Sequence, residues 1–179
     1  MRRLWALPAL AAIAAAAPAD PVDTVALVLA SGMAAEAAGN GRAMLDAAGR
    51  LDASGARAEE GDLAMHWRDL ARSRGIRDRV PPLRGRALGP AYRRGTLDAG
   101  AELATEQVFL AGQKAVVALV PQPGRNLSIL VASPDKPICA RDAQPPRATC
   151  SWLPLFTSRV RISVSNRGAN PATYYLVSN

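Results

Sequence analysis

Histidine and cysteine are scarce in this sequence of 179 residues, which has one histidine, His66, and two cysteines. A zinc site needs about four nitrogen, sulfur or oxygen ligands, and His66 lies far along the chain from both cysteines. The sequence also has no G-x-S-x-G motif of a serine hydrolase and no glycine-rich phosphate loop with its lysine. We therefore expect no metal, no cofactor and no catalytic activity. An enzyme that uses His66 as its base is the alternative.

Long apolar runs are also missing, because no stretch after residue 19 supplies the roughly twenty apolar residues of a membrane-spanning helix. Met1 is followed by two arginines, then by an uncharged run from Leu4 to Ala17, and then by the end of an Ala-Pro-Ala sequence at Ala19. This layout is typical of a secretory signal peptide. We predict a signal peptide over residues 1–19, no transmembrane segment after its cleavage, and a periplasmic or extracellular location. An uncleaved amphipathic helix is the alternative.

The two cysteines, Cys139 and Cys150, flank a proline-rich stretch between two predicted strands. An exported protein reaches an oxidising space, where two cysteines at this spacing most simply form a disulfide. Closing a loop of this size is worth about 3 kcal/mol in the chain-entropy model. We predict a Cys139–Cys150 disulfide that fixes a loop. A metal or redox site is the rival interpretation.

Charge divides the rest of the chain into three parts. Residues 20–67 carry three arginines and eight acidic residues, residues 68–94 carry nine arginines and two aspartates, and residues 95–179 carry eight basic and five acidic residues. Arginine binds phosphate and carboxylate through its fork of donors, so the middle part is a candidate surface for an anionic envelope component. The candidate residues are Arg84, Arg86, Arg93 and Arg94. The alternative is that this part docks on the acidic helices. Because the protein is predicted to be exported, nucleic acid is not expected as a partner.

Residues 20–76 are predicted to be helical. Asp23 can cap a first helix, whose buried stripe would be Val25, Val28, Leu29 and Gly32. The sequence Gly-Asn-Gly at 39–41 ends this helix, and a second buried stripe follows it, made of Met44, Ala47, Ala48 and Leu51. A third helix begins after Asp62 and ends near Gly75. Residues 77–100 are rich in arginine, proline and glycine and are predicted to be an extended connection over a surface.

Residues 101–179 are predicted to be strands, because short runs with a period of two alternate with turn residues. In one run Val160, Ile162 and Val164 share a face, while Arg159 and Arg161 share the other. Strands that follow one another without helices between them favour an antiparallel sandwich. The predicted fold class is α+β, with N-terminal helices followed by a jelly-roll-like β-sandwich.

The strands of the C-terminal half resemble those of bacterial pre-peptidase C-terminal domains. The resemblance covers roughly residues 96–179 and rests on three features: "NLSILVASPDKPIC", the strand that ends in Val164-Ser165-Asn166, and the closing Tyr174-Tyr175-Leu176. It implies a small β-sandwich appended to secreted proteins, with substrate binding in some members. The family's calcium sites are not expected here, because Asp135 and Asp142 are the only nearby acids.

A second candidate binding surface is the aromatic pair Trp152 and Phe156, beside Cys150. If the two rings are exposed, they would form a recognition patch. The alternative is that they pack inside the sandwich. Together these features predict an exported cell-envelope protein without catalytic activity, which serves as a binding or accessory module for an envelope polymer or an exported protein. The alternative is an accessory or inhibitory partner of a secreted hydrolase.

Overall fold

Three helices form the N-terminal part of the computed structural model, which describes residues 19–78, 88–143 and 146–179. They are α1 (Pro21–Ala37), α2 (Gly41–Ala53) and α3 (Leu63–Ser73). Each begins at a side chain that accepts a backbone N–H of its first turn: Asp20 from Val22, Asn40 from Ala43, and Asp62 from Met65. All but the last residue of the predicted signal peptide lies outside the described residues.

In the part of the chain that the structure describes, nine strands make up two sheets. They are β1 (Arg57–Ala58), β2 (Ala91–Leu97), β3 (Glu102–Phe109), β4 (Ala115–Pro121), β5 (Leu127–Ala132), β6 (Pro137–Ala143), β7 (Ala148–Trp152), β8 (Ser158–Asn166) and β9 (Ala172–Ser178). The first sheet has the order β1-β2-β9-β4-β7 and the second has the order β3-β8-β5-β6. The described pairs are antiparallel, except that β1 lies parallel to β2. The predicted α+β class, with N-terminal helices and an antiparallel sandwich, is confirmed.

The first sheet is covered on both faces. In β4, Val116, Ala118 and Val120 face the helices, where they share a core with Val25, Val28 and Leu29 of α1. Val117 and Leu119 point the other way, into the core between the sheets. The helices are therefore the third layer of one structure, and they share a core with the sandwich.

Among the described residues, the second sheet has one buried face and one face that is largely exposed. Val160, Ile162 and Val164 of β8 are buried in the core between the sheets, whereas Arg159 and Arg161 are exposed. This is the alternation that the sequence predicts for β8.

The first helix begins earlier than predicted. Asp20, not Asp23, caps α1, because Pro21 suits the first helical position. The Asp23 carboxylate instead accepts hydrogen bonds from Arg147 Nε at 2.7 Å and from the hydroxyl of Thr149, on β7, at 2.8 Å. The bond from Arg147 lowers the pKa of Asp23, and burial opposes this shift. Asp23 thus fastens the start of α1 to the first sheet.

The disulfide joins the two sheets instead of the two ends of a loop. Cys139 lies on β6, at the edge of the second sheet, and Cys150 lies on β7, at the edge of the first. Their Cα atoms are 5.9 Å apart. Strand β6 could not be predicted from the sequence, because it is exposed along most of its length and so shows no apolar alternation.

The predicted extended connection over residues 77–100 also contains a strand. Residues 91–97 form β2, which pairs with β9 along its whole length. A Cβ atom at Gly95 would lie 2.4 Å from Cζ of Tyr174, so the glycine leaves room for that ring. Arginines and this glycine occupy the middle of β2, which is why no strand pattern is visible there.

No helix in the described part of the chain is long and apolar enough to span a membrane.

Replacing both cysteines should lower the free energy of unfolding. For Cys139→Ser/Cys150→Ser we expect a loss of about 3 kcal/mol, because the cross-link restricts the unfolded chain. Denaturant unfolding of both proteins measures this loss. Adding a reductant should lower the free energy of unfolding of the wild type to that of the variant. Equal midpoints for the oxidised wild type and the variant would contradict the prediction.

The contact between α1 and α3 allows no side chain at Gly32. A Cβ atom there would lie 2.1 Å from Cη2 of Trp67, whose side chain is fully buried. Gly32→Ala should therefore destabilise the protein by about 1–3 kcal/mol, measured by thermal unfolding. Gly49→Ala, in α2, is the matched control, since nothing lies within 4 Å of a Cβ atom there. The control should gain about 0.5–1 kcal/mol, and similar losses in both variants would refute the steric explanation.

Candidate functional site

Two loops meet at one end of the sandwich and expose large apolar side chains. The loop between β3 and β4 exposes Leu110 (51%), and the loop between β7 and β8 exposes Leu153 (60%), Leu155 (82%) and Phe156 (80%). We call these four residues the apolar tip. Single exposed apolar residues are ordinary, but a group of them on adjoining loops is typical of a binding surface.

Hydrogen bonds hold the two loops together. The backbone N–H of Ala111 donates to the hydroxyl of Thr157 at 3.1 Å, and the N–H of Gly112 donates to the carbonyl of Pro154 at 2.9 Å. Gly112 has a φ of 72°, which a residue with a side chain rarely adopts. The two loops that carry the apolar tip are therefore joined to each other at this end of the sandwich.

An aromatic contact connects the loop between β7 and β8 to the core between the sheets. Trp152 packs edge-on against Phe109, with ring centroids 4.8 Å apart. Phe109 is buried in the core between the sheets, and Trp152 packs against that core. The predicted pair of aromatic residues is thus divided: Trp152 is half-buried in the base, and Phe156 is exposed at the tip.

The sequence carries a signal for the other three residues of the apolar tip. Leu153 and Leu155 flank a proline in a run where a loop is normally polar, "WLPLF". Leu110 belongs to a run that resembles the end of a strand, but β3 ends at Phe109. An apolar run inside a connection between strands is the pattern to look for.

The structure describes two of the four predicted arginines, Arg93 and Arg94, and does not place them on one surface. Arg93 and Arg94 are neighbours on β2 and so point to opposite faces of the first sheet. Arg93 reaches across to the second sheet, where Nη1 donates to the hydroxyl of Thr105 at 3.3 Å. Arg94 lies on the helix side, in an open cleft of about 250 Å³ with Glu36 and Tyr175. Arg84 and Arg86 lie outside the described residues.

Burial raises the pKa of Tyr175, which lines this cleft, to about 12, although the charge of Arg94 acts in the opposite direction. The Tyr175 hydroxyl therefore stays protonated in the physiological range and can donate a hydrogen bond, but it cannot serve as a base.

Part of the arginine-rich segment contacts the acidic helices. Arg68, which is largely buried, donates hydrogen bonds to Asp52 and to Asp78. Arg72 pairs with Asp69 on the same helix. Of these contacts, the one between Arg68 and Asp52 joins the arginine-rich segment to the acidic part, whereas Asp69 and Asp78 belong to the segment itself.

His66, on α3, faces Glu36, on α1. Its Nε2 lies 3.5 Å from Oε1 of Glu36, whose Oε2 accepts a hydrogen bond from Nε1 of Trp67 at 3.0 Å. Both cysteines are in the disulfide and so supply no nucleophile. Within residues 19–78, 88–143 and 146–179, no group of three or more histidine, cysteine, aspartate or glutamate side chains is placed to hold a metal ion.

No protein-family model matches this chain, and no curated protein matches it in sequence. Among solved structures, the pre-peptidase C-terminal domain of collagenase from Bacillus anthracis is similar over 50% of this chain and 89% of its own, at 11% identity and a TM-score of 0.43. The Yersinia pseudotuberculosis-derived mitogen is similar over 50% of this chain and 84% of its own, at 11% identity and a TM-score of 0.40.

A third similar structure is PliG of Aeromonas hydrophila, a periplasmic inhibitor of g-type lysozyme. It matches 50% of this chain and 84% of its own, at 17% identity and a TM-score of 0.38. The predicted resemblance to pre-peptidase C-terminal domains is thus confirmed as a partial likeness of low identity. All three are likenesses of shape over half of the chain, and they say nothing of what this chain binds.

The two aromatic residues should differ in their effect on stability. Trp152→Ala removes the contact with Phe109 and should lower the free energy of unfolding by about 2 kcal/mol. Phe156→Ala removes an exposed ring and should change it by about 0.5 kcal/mol or less. Thermal unfolding of the two variants beside the wild type measures both effects. A large loss in Phe156→Ala would show that the ring is buried and would remove it from the apolar tip.

Proposed function

We propose that this protein is an exported binding module of the cell envelope, without catalytic activity, and that it engages its partner through the apolar tip. The observation that carries this proposal is the exposure of Leu155 and Phe156, at 82% and 80%, beside Leu110 and Leu153. Keeping such a group of side chains in water is unfavourable unless a partner covers it.

The construction of the apolar tip supports a role in binding. Its two loops are hydrogen-bonded to each other, and the contact of Trp152 with Phe109 fixes them to the core. A surface that is ordered before it binds loses little conformational entropy on binding. Leu155 and Phe156 can therefore serve as preformed anchors.

The disulfide supports the assignment to the envelope. Cys139 and Cys150 are bonded, and such a bond persists in oxidising compartments and is rare in the cytosol. The predicted signal peptide over residues 1–19 gives the same location. An envelope polymer or an exported protein is then the kind of partner that the apolar tip would meet.

Photocrosslinking in living cells tests the proposal. A photoreactive phenylalanine analogue is placed at position 156, in the apolar tip, or at position 103 as the control. Leu103 is 45% exposed and lies at the opposite end of β3 from the tip. We expect a crosslinked product, identified by mass spectrometry, at position 156 and not at position 103.

The identity of the product separates the alternatives. A secreted hydrolase whose activity changes when this protein is added would support the accessory or inhibitory function. Absence of any product at position 156, or equal products at both positions, would reject the apolar tip as the binding surface.

A further inference from the structure

We infer that the cleft around Arg94 is a binding site for a small zwitterion, a molecule with one carboxylate and one ammonium group, such as an amino acid or a dipeptide. We call it the Arg94 cleft, and its lining includes Met33, Glu36, Arg94, Gln122, Thr173 and Tyr175. Its volume of about 250 Å³ is below the roughly 300–1,000 Å³ of sites for drug-sized ligands, so it suits a small molecule. The inference does not depend on the apolar tip, since no residue belongs to both.

The Arg94 side chain can receive a carboxylate. Arg94 is exposed on β2, and no described residue forms a hydrogen bond or an ion pair with its guanidinium. Its neighbour Arg93, on the other face of the sheet, does have a partner, the hydroxyl of Thr105. A guanidinium presents a planar fork of donors that matches the two oxygens of a carboxylate. One half of the proposed ligand therefore has a partner at Arg94.

The Tyr175 hydroxyl is a second donor in the Arg94 cleft. The residue is only 2% exposed, yet its hydroxyl has no hydrogen-bond partner among the residues that the structure describes. Buried hydroxyl groups are normally hydrogen-bonded. Burial raises the pKa of this hydroxyl to about 12, the charge of Arg94 opposes the shift, and the charge of Glu36 adds to it. The cleft thus holds a protonated donor for which the described chain supplies no acceptor.

The wall formed by α1 suits an ammonium group. Glu36 lies in the last turn of α1, where its Oε2 accepts a hydrogen bond from Trp67 and its Oε1 lies 3.5 Å from Nε2 of His66. A carboxylate offers about four acceptor positions, so Glu36 can accept further bonds from a ligand. The C-terminal end of a helix also carries partial negative charge, and α1 has no basic residue in its last turn.

The two charges together determine the class of ligand. Arg94 and Glu36 line the same cleft but form no ion pair with each other. A phosphate or a simple carboxylic acid would be attracted by Arg94 and repelled by Glu36, and a simple amine would meet the reverse. A molecule that carries both charges is attracted by both residues.

Isothermal titration calorimetry tests the inference on the protein as purified from the envelope fraction. The probes are alanine and alanylalanine, each in its L and D forms. Each probe is compared with its amide, which lacks the carboxylate, and with its N-acetyl derivative, which lacks the ammonium group. We expect at least one parent probe to bind, and both of its derivatives to bind at least about tenfold more weakly, because each loses a hydrogen-bonded charge.

Three variants locate the binding in the Arg94 cleft. Arg94→Gln should weaken binding of the parent probe by about tenfold or more, and Tyr175→Phe, which removes only the hydroxyl, by about fivefold. Arg93→Gln is the matched control, since it removes the same charge from the other face of the sheet and should bind as the wild type does. Tyr175→Phe should unfold at the temperature of the wild type, because no described group loses a hydrogen bond.

Three outcomes would overturn the inference. They are the failure of every parent probe to bind at millimolar concentrations, equal binding of a parent probe and its derivatives, and equal binding by the wild type and Arg94→Gln. None of them bears on the apolar tip, which the photocrosslinking experiment tests separately.

Discussion

The first sheet of this protein is apolar on both faces, and the rest of the fold depends on covering them. Residues 116–120 of β4 are an unbroken apolar run, and all are fully buried. The second sheet covers one face and the helices cover the other. Neither layer could be removed without exposing a continuous strip of valine, leucine and alanine to water. The N-terminal helices are therefore as necessary to the sandwich as its second sheet.

Both sheets contribute strands to the end of the sandwich that carries the apolar tip. The first sheet contributes β4 and β7 there, the second contributes β3 and β8, and each of the two tip loops connects one sheet to the other. The Phe109–Trp152 contact fills the space between the sheets beneath the loops. At the opposite end the buried Asn166 donates to the carbonyls of Leu97, Asp98 and Asn170. One end is thus closed by a polar side chain, and the other presents apolar ones to the solvent.

How far the sequence predicts this structure depends on how each element is buried. Strand β8 could be predicted because one face is buried and the other is exposed to solvent. The bounds of α3 could be predicted from Asp62 before its start and Gly75 after its end. Strand β6 could not, because an exposed edge strand has no apolar periodicity. The sequence suggested Phe156 as a binding residue, yet it could not separate it from Trp152. Which of two nearby rings is buried depends on Phe109, a tertiary contact far away in the chain.

The carboxylate of Asp20 links the helical layer to one loop of the sandwich. Its Oδ1 accepts the N–H of Val22 at the start of α1, and its Oδ2 lies 2.9 Å from Nζ of Lys114, in the loop between β3 and β4. One side chain therefore serves both the first turn of the helical layer and the loop that carries Leu110. Whatever disturbs the first turn of α1 also removes a contact of that loop.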